Sequence, residues 1–162
     1  MSSNYQFFIQ GKEKEKKFAE LFKNTEPSTA KEDRQEHWDL KIISKVDVKG
    51  LKKIDRSNND YNEYWHWVEL KNIGGNEGWL FGKADCFAFE TFNYWIIVNK
   101  EDLQNFVSEN IDFEHILTEK APYKLYQRKD RKDMITLVNS IDLCHLATTI
   151  IKKTDTFVKK AL

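Results

Sequence analysis

The stretch 38–71 constrains the fold more than any other part of the chain, because acids and lysines interrupt each of its three short apolar runs. A β-strand directs residues i and i+2 to the same face of its sheet. In the second run, Val46 and Val48 are therefore expected to enter the core. Asp47 and Lys49 then project together from the opposite face, which places an acid beside an ammonium.

The first two runs, 38–43 and 45–49, predict two short strands with a turn near Ser44. A hairpin this tight is expected to bring Asp39 level with Lys49. Two acids and a lysine then lie close together. Such an arrangement can hold a divalent metal and a water.

The third run, 64–71, alternates in the same way, and both of its faces are large and partly apolar, as in a central strand covered on both sides. Before this stretch, the sequence predicts a helix from about Gly11 to Lys23 and a loop at 24–37. After it, the spacing of apolar residues predicts a buried strand at 94–98 and a helix at 101–108. A hairpin of strands 123–128 and 134–138 and a closing helix at 143–152 complete the predicted elements. Residues 83–90 fit either a helix or a strand. This mixture predicts an α/β chain.

Length and charge limit the classes of function. With 162 residues and 40% hydrophobic content, the chain is expected to form one domain, residues 1–162, around a single sizeable core. Its 26 basic and 26 acidic residues give a formal net charge of zero. A protein that coats DNA is usually basic overall, so this balance argues mildly against a nucleic-acid role. It does not exclude one, because binding needs only a local basic patch.

Two features of the sequence bear on the compartment. Cys86 and Cys144 lie far apart without metal-ligand spacing, and they are expected to be reduced, buried thiols of a cytosolic protein. The N-terminus lacks an apolar signal core, and no apolar run approaches ~18 residues. We therefore expect a cytoplasmic protein with no membrane partner.

The set Asp39, Asp47 and Lys49 resembles the D…(D/E)-x-K signature of the PD-(D/E)XK nuclease superfamily. This is the restriction-endonuclease-like fold of Holliday-junction resolvases and many small phage nucleases. The order of helix, hairpin and strands up to residue 98 is also similar to that of small phage-type members. Two positions depart from the commoner pattern: Trp38 stands where a proline often precedes the first acid, and residue 47 is Asp rather than Glu.

The resemblance implies a restriction-endonuclease-like core, a central mixed β-sheet flanked by helices. It also implies a metal-dependent deoxyribonuclease that hydrolyses DNA phosphodiester bonds as an endonuclease, with Mg²⁺ as its metal, for which Mn²⁺ can substitute. Asp39 and Asp47 would bind the metal together with the Val48 carbonyl, and Lys49 would orient or deprotonate the attacking water. A homodimer, and action in a host-cell cytoplasm if the protein is phage-encoded, are further expectations of the resemblance.

A second assignment of the motif stays open. Asp47 can be the first acid, with Glu69 and Lys71 forming the E-x-K. We prefer the first assignment because the two valines leave Asp47 and its lysine on one face, and because Glu20 lies on a helix just upstream, from which a further carboxylate can reach the site. In the preferred assignment, Glu69 is expected on the adjacent strand, close enough to assist the metal or a water.

Two other classes of function compete with the nuclease. A non-catalytic module that binds nucleic acid or protein can keep the same fold without the activity. A small-molecule enzyme has less support, because the sequence contains neither a glycine-rich phosphate loop nor Cys/His metal spacing. Trp65, Trp67 and Trp79 can stack on bases, although aromatic residues near central strands more often belong to the core.

Overall fold

The computed structural model describes residues 3–21, 25–42, 44–53 and 60–153, with side chains from residue 9 onward. The helices are α1 (Ser3–Ala19), α2 (Ala30–Glu36), α3 (Lys100–Asn110) and α4 (Ser140–Leu146). The strands are β1 (Glu26–Pro27), β2 (Leu40–Lys41), β3 (Lys45–Lys49), β4 (Trp65–Lys71), β5 (Cys86–Glu90), β6 (Tyr94–Asn99), β7 (Asp112–Leu117), β8 (Lys124–Tyr126), β9 (Met134–Asn139) and β10 (Ala147–Lys152). A 3₁₀ turn, Trp79–Phe81, follows β4.

The strands form two mixed sheets, so the α/β class is confirmed. The first sheet has the order β1-β2-β3-β5-β6-β10, and β3 and β5 are its parallel pair. The second sheet has the order β4-β9-β8-β7, in which β7 and β8 run parallel. Strand β3 therefore lies inside the first sheet, with β2 antiparallel on one side and β5 parallel on the other.

Both faces of the first sheet are covered. On one face, Phe18 of α1 packs against Trp95 of β6 with ring centroids 4.8 Å apart, and Val46 of β3 belongs to the same cluster. On the other face, Phe87 and Phe89 of β5 share a core with residues of β4, α3 and α4. The side chains of β3 therefore alternate between two packed layers.

Several predicted elements are confirmed. The hairpin β2–β3 is antiparallel, β4 alternates between buried and half-buried residues, and β6 is largely buried. Helix α3 and the β8–β9 hairpin lie where the apolar spacing predicts them. The ambiguous segment 83–90 forms strand β5 from Cys86, because it pairs with both β3 and β6.

The prediction of a loop throughout 24–37 is wrong, because this segment contains β1 and α2. Helix α2 starts with a capping box: Thr29 Oγ1 accepts a hydrogen bond from Glu32 N at 3.3 Å, and Glu32 Oε2 accepts one from Thr29 N at 2.9 Å. The T-x-x-E spacing that forms this box is visible in the sequence. This spacing indicates the start of a helix, but the polar composition of the segment favoured a loop.

The first helix begins at Ser3 rather than near Gly11, and it ends at Ala19. A glycine inside a helix costs only ~1 kcal/mol relative to alanine, which is too little to set a boundary when the turns on both sides continue. The predicted extension of the helix to Lys23 includes positions 22 and 23, which lie outside the described residues.

The predicted closing helix at 143–152 is half wrong, because α4 ends at Leu146 and β10 follows directly. Four β-branched residues in a row, 148–151, favour a strand. Ile150 pairs with Ile96 of β6, so the end of the described chain adds a strand to the first sheet. Strand β7 was not predicted either.

Two further expectations concern the burial of the cysteines and the absence of membrane-spanning helices. Neither cysteine forms a disulfide, but Cys144 is exposed and Cys86 half-buried, so the expectation of two buried thiols is wrong. Among the described residues, no helix combines the length and the apolar character needed to cross a bilayer.

Gly78 allows the 3₁₀ turn to lie directly on β4. A Cβ at this position would come 2.3 Å from the carbonyl oxygen of Glu69. We expect Gly78→Ala to lower the free energy of unfolding by about 1–3 kcal/mol, because backbone must shift. Gly11→Ala is the matched control: its Cβ meets nothing within 4 Å, and α1 should gain about 0.5–1 kcal/mol. Urea unfolding measures both, and equal effects would contradict the close approach.

Candidate active site

The register of the β2–β3 hairpin sets the spacing of the acids. Leu40 pairs with Val46, and one further step along both strands places Asp39 opposite Asp47. The expectation that Asp39 lies level with Lys49 is therefore wrong by two residues, because the hairpin closes earlier than a turn at Ser44 requires. The observed register brings the two acids directly together.

The predicted division of β3 between two faces is confirmed. Val46 and Val48 pack on the side of α1, whereas Asp47 and Lys49 lie on the side of Phe87 and the second sheet. Lys49 Nζ lies 2.6 Å from Asp47 Oδ2. The acid and the lysine of the motif thus form an ion pair at the boundary between the two sheets.

Trp79 covers this ion pair. Its ring centroid lies 4.1 Å from Lys49 Nζ, and the tryptophan itself is only 9% exposed. An ammonium over an aromatic face is stabilised by the negative potential of the ring. The 3₁₀ turn therefore supplies a lid of low polarity, and Asp47 beneath it is only 5% exposed.

One oxygen of Asp47 lacks a hydrogen bond. Oδ2 is buried and, among the described residues, no donor reaches it in hydrogen-bonding geometry; the close Lys49 Nζ approaches off the favourable direction. A buried oxygen without a hydrogen bond is costly, since it has lost its water and gained no full replacement. The charge of Lys49 Nζ, 2.6 Å away, is the compensation that this oxygen receives.

Asp39 is held beside this pair by the backbone. Its Oδ2 accepts a hydrogen bond from Val48 N at 2.6 Å, so the carboxylate lies against the middle of the motif. Burial above all, and then the negative charges of Asp47 and Glu15, raise the pKa of Asp39 to about 7, against the opposing effects of the Val48 N–H and Lys49. At neutral pH the site therefore holds closely spaced acids that repel one another.

The carboxylate that acts on the site from α1 is Glu15. Its charge contributes to the raised pKa of Asp39, and its Oε2 lies 2.8 Å from Lys12 Nζ. Glu20, which the sequence suggested for this role, follows the end of the helix at Ala19, and no contact with the two motif acids is described for it. Glu15 lay in a run of alternating charges, where the sequence indicated only a solvated face.

The residues of the second assignment lie on another sheet. Glu69 is half-buried and Lys71 exposed on β4, which pairs with β9 and not with β3. The expectation that Glu69 occupies a strand adjacent to Asp47 is therefore wrong. Its charge nevertheless acts on Lys52, which lies just beyond β3.

A second lysine lies beside the motif lysine. Burial lowers the pKa of Lys52, and the nearby charge of Lys49 lowers it further, although Lys52 keeps more than a third of its surface in solvent. The two lysines line a cavity of about 20 Å³ together with Trp65, His66 and Trp79. This space is large enough for about one water molecule.

Glu90 anchors the segment that follows the motif. Its Oε2 accepts a hydrogen bond from Leu51 N at 2.9 Å and lies 3.0 Å from Lys14 Nζ, while its Oε1 lies 2.8 Å from Lys153 Nζ. Sequence reasoning missed Glu90. No spacing could have revealed it, because only the parallel pairing of β3 with β5 brings it next to the residue after Lys49.

The tryptophans are mainly structural. Trp79 is buried, Trp65 packs edge-on against Tyr123 at 5.8 Å between ring centroids, and Trp67 lies 6.3 Å from the ring of Tyr126. The interpretation as core residues is supported for Trp79. Trp65 and Trp67 are half-buried, with their rings engaged by the tyrosines of the second sheet.

The donor set fits a hard cation in part. Asp39 and Asp47 offer carboxylate oxygens of the kind that Mg²⁺ prefers, and one of these oxygens is buried without a hydrogen bond. Within 9–21, 25–42, 44–53 and 60–153, however, no group of three or more acids, histidines or cysteines is placed to hold a metal. A metal bound to two carboxylates and completed by waters and substrate phosphate is compatible with this arrangement.

Comparison with known proteins returns no match. No protein-family model fits the chain, and neither a curated protein nor a solved structure is significantly similar to it.

The raised pKa of Asp39 predicts a pH-dependent stability. The pKa of Asp39 is about 7 in the folded chain and near 3.8 ordinarily, so the folded chain binds this proton more tightly than the unfolded chain does. The stability that the proton contributes is fully present below 3.8 and is lost as the pH rises from there through 7. Asp39→Asn cannot ionise. In EDTA, we expect the variant to exceed the wild type in free energy of unfolding by roughly 2 kcal/mol at pH 8, and to match it near pH 4. Urea titrations check this, and an equal difference at both pH values would contradict it.

Proposed function

We propose that the protein is a metal-dependent nuclease that hydrolyses DNA phosphodiester bonds, with a restriction-endonuclease-like core and the site Asp39, Asp47 and Lys49. The observation that carries the proposal is the pair of opposed acids, Asp47 buried and Asp39 half-buried, with the Lys49 ammonium 2.6 Å from Asp47 Oδ2. Repulsion between these acids supports cation binding at neutral pH, because a divalent ion relieves it.

Mg²⁺, when bound, would supply a nucleophile at neutral pH and neutralise charge on the phosphoryl oxygens. Asp39 and Asp47 would hold it, with the Val48 carbonyl as a further predicted ligand. For Val48 the structure describes a different contact, since its N–H donates to Asp39 and so keeps that carboxylate turned toward the site.

Lys49 is suited to act on water and on the transition state. Its ammonium lies beside Asp47 and under Trp79, where solvent is largely excluded and a positive charge acts strongly. From this position it can orient a water and stabilise the negative charge that develops on phosphorus-bound oxygens. The Glu90 anchor holds the following backbone in place and so limits the movement of Lys49.

The size of the nearby cavity bears on the class of substrate. Sites for small ligands usually enclose about 300–1,000 Å³, whereas the cavity beside Lys49 has about 20 Å³. A phosphodiester could approach from the side of Asp39, which is half-buried, whereas Asp47 is buried beneath Trp79. The small volume therefore argues against a small-molecule pocket beside Lys49.

A non-catalytic nucleic-acid-binding module is the second candidate. One observation favours it: Lys49 contacts Asp47 directly, and the described acids do not form a group of three around a metal position. An ammonium can replace the metal as the partner of the acid, and the fold would then persist without activity. Metal binding separates the two candidates.

Asp47→Asn should abolish Mg²⁺-dependent cleavage, because it removes a charged ligand while preserving side-chain size. We would compare supercoiled plasmid, linear duplex, single strand and a four-way junction in Mg²⁺, Mn²⁺ and EDTA. Asp102→Asn, the same change at an exposed position on α3, is the control and should keep full activity. Folded wild type that cuts none of these substrates and binds no Mg²⁺ by calorimetry would favour the binding module.

Glu69→Gln distinguishes the two assignments of the motif. Because Glu69 lies on β4, across from β3 rather than beside it, we expect a weak impairment of cleavage. An inactive variant with an unchanged unfolding midpoint would show instead that Glu69 is a ligand of the metal. Lys71→Met, which changes the exposed lysine of the same strand, should then be inactive as well.

A further inference from the structure

Tyr61 is an exposed aromatic residue close to two lysines. Nearly half of it, 46%, is in contact with solvent. Lys14 Nζ lies 5.7 Å from its ring centroid and Lys53 Nζ lies 5.8 Å from it. The ring is therefore accompanied by positive charge from α1 and from the segment after β3, although much of its surface is uncovered.

The backbone ties Tyr61 to the site. Its neighbour Asn62 forms an antiparallel bridge with Lys52, and Asn62 N donates to Lys52 O at 3.4 Å. Lys52 follows Lys49 by three residues, roughly 10 Å of extended chain. The ring is thus held a short distance beyond the site, on the continuation of β3.

Lys14 connects the ring to the same anchor that supports the motif. Its Nζ donates to Leu51 O at 2.9 Å and lies 3.0 Å from Glu90 Oε2. The positive charge of Lys14 also contributes to the lowered pKa of Lys52. Tyr61, Lys14, Lys52 and Lys53 therefore form one patch, which we call the tyrosine–lysine patch.

The chemistry of this patch matches a nucleotide with an uncovered base. An aromatic face binds the face of a base by stacking, and ammonium groups close to the ring attract the phosphates that neighbour this base. In a duplex the faces of the bases are covered by the adjacent pairs, so only their edges are accessible. A stacking ring consequently selects strands whose bases are unpaired.

We propose that Tyr61 stacks on an unpaired base next to the cleaved bond, with Lys14 and Lys53 contacting the adjoining phosphates. The substrate class is then a single strand, or a junction or end with unpaired bases. This inference rests on the proposed function, since it assumes that a nucleic acid reaches the site.

The test measures binding without cleavage. Fluorescence anisotropy in EDTA would compare a labelled oligothymidine with a blunt duplex of equal length, for the wild type and Tyr61→Leu. We expect about a tenfold loss of affinity for the single strand and no change for the duplex, which is the size expected when one stacked base is lost. Tyr61→Phe should restore single-strand binding, because the ring and not the hydroxyl stacks.

Phe113→Leu is the matched control. Phe113 is similarly exposed, at 49%, but it lies on β7 at the far edge of the second sheet, so its loss should change neither affinity. Urea midpoints would confirm that each variant is folded. Unchanged single-strand binding by Tyr61→Leu, or an equal loss with both DNAs, would overturn the inference.

The same data separate this inference from the proposed function. If the wild type cuts DNA and Tyr61→Leu binds single strands as well as the wild type does, the proposed nuclease function is supported and the role of Tyr61 is overturned. If the wild type cuts no DNA but Tyr61→Leu binds the single strand more weakly than the wild type does, the result would support the role of Tyr61 within the binding module. A wild type that neither cuts DNA in Mg²⁺ nor binds either DNA would overturn both.

Discussion

The ion pair of Asp47 and Lys49 is the constraint on which the surrounding structure depends. Strand β3 is covered by α1 on one face and by the second sheet on the other, so any side chain it carries is partly desolvated. Charges in such a place cost several kcal/mol each, and an apolar pair would often be as stable. The pair is therefore poorly explained by its contribution to stability alone.

The elements around β3 act on this pair from several directions. Trp79 excludes solvent above Lys49, and Glu90 secures the backbone that leaves the strand. Asp39 adds a second carboxylate with a pKa raised to about 7 by burial and by neighbouring acids. If the site binds a cation, as proposed, relief of the repulsion between Asp39 and Asp47 would couple metal binding to stability.

Predictions from the sequence succeeded where the information was local. The alternation of Val46 and Val48 correctly divided β3 between two faces, and the short hairpin was correctly placed. Predictions failed where a residue's position depended on which distant strands pair with each other. Glu69 was expected beside Asp47, but β4 pairs with β9 in another sheet. The hairpin register also differed by two residues, which moved Asp39 opposite Asp47.

By itself, the sequence determined that an acid and a lysine leave one face of a strand, because a period of two is a property of the extended backbone. Only the tertiary structure decided which other groups join them. Glu15, Trp79 and Glu90 reach the site through helix packing, a close backbone approach and a parallel strand pair. These contacts join distant segments, and their energies depend on burial and distance, which no spacing along the chain specifies.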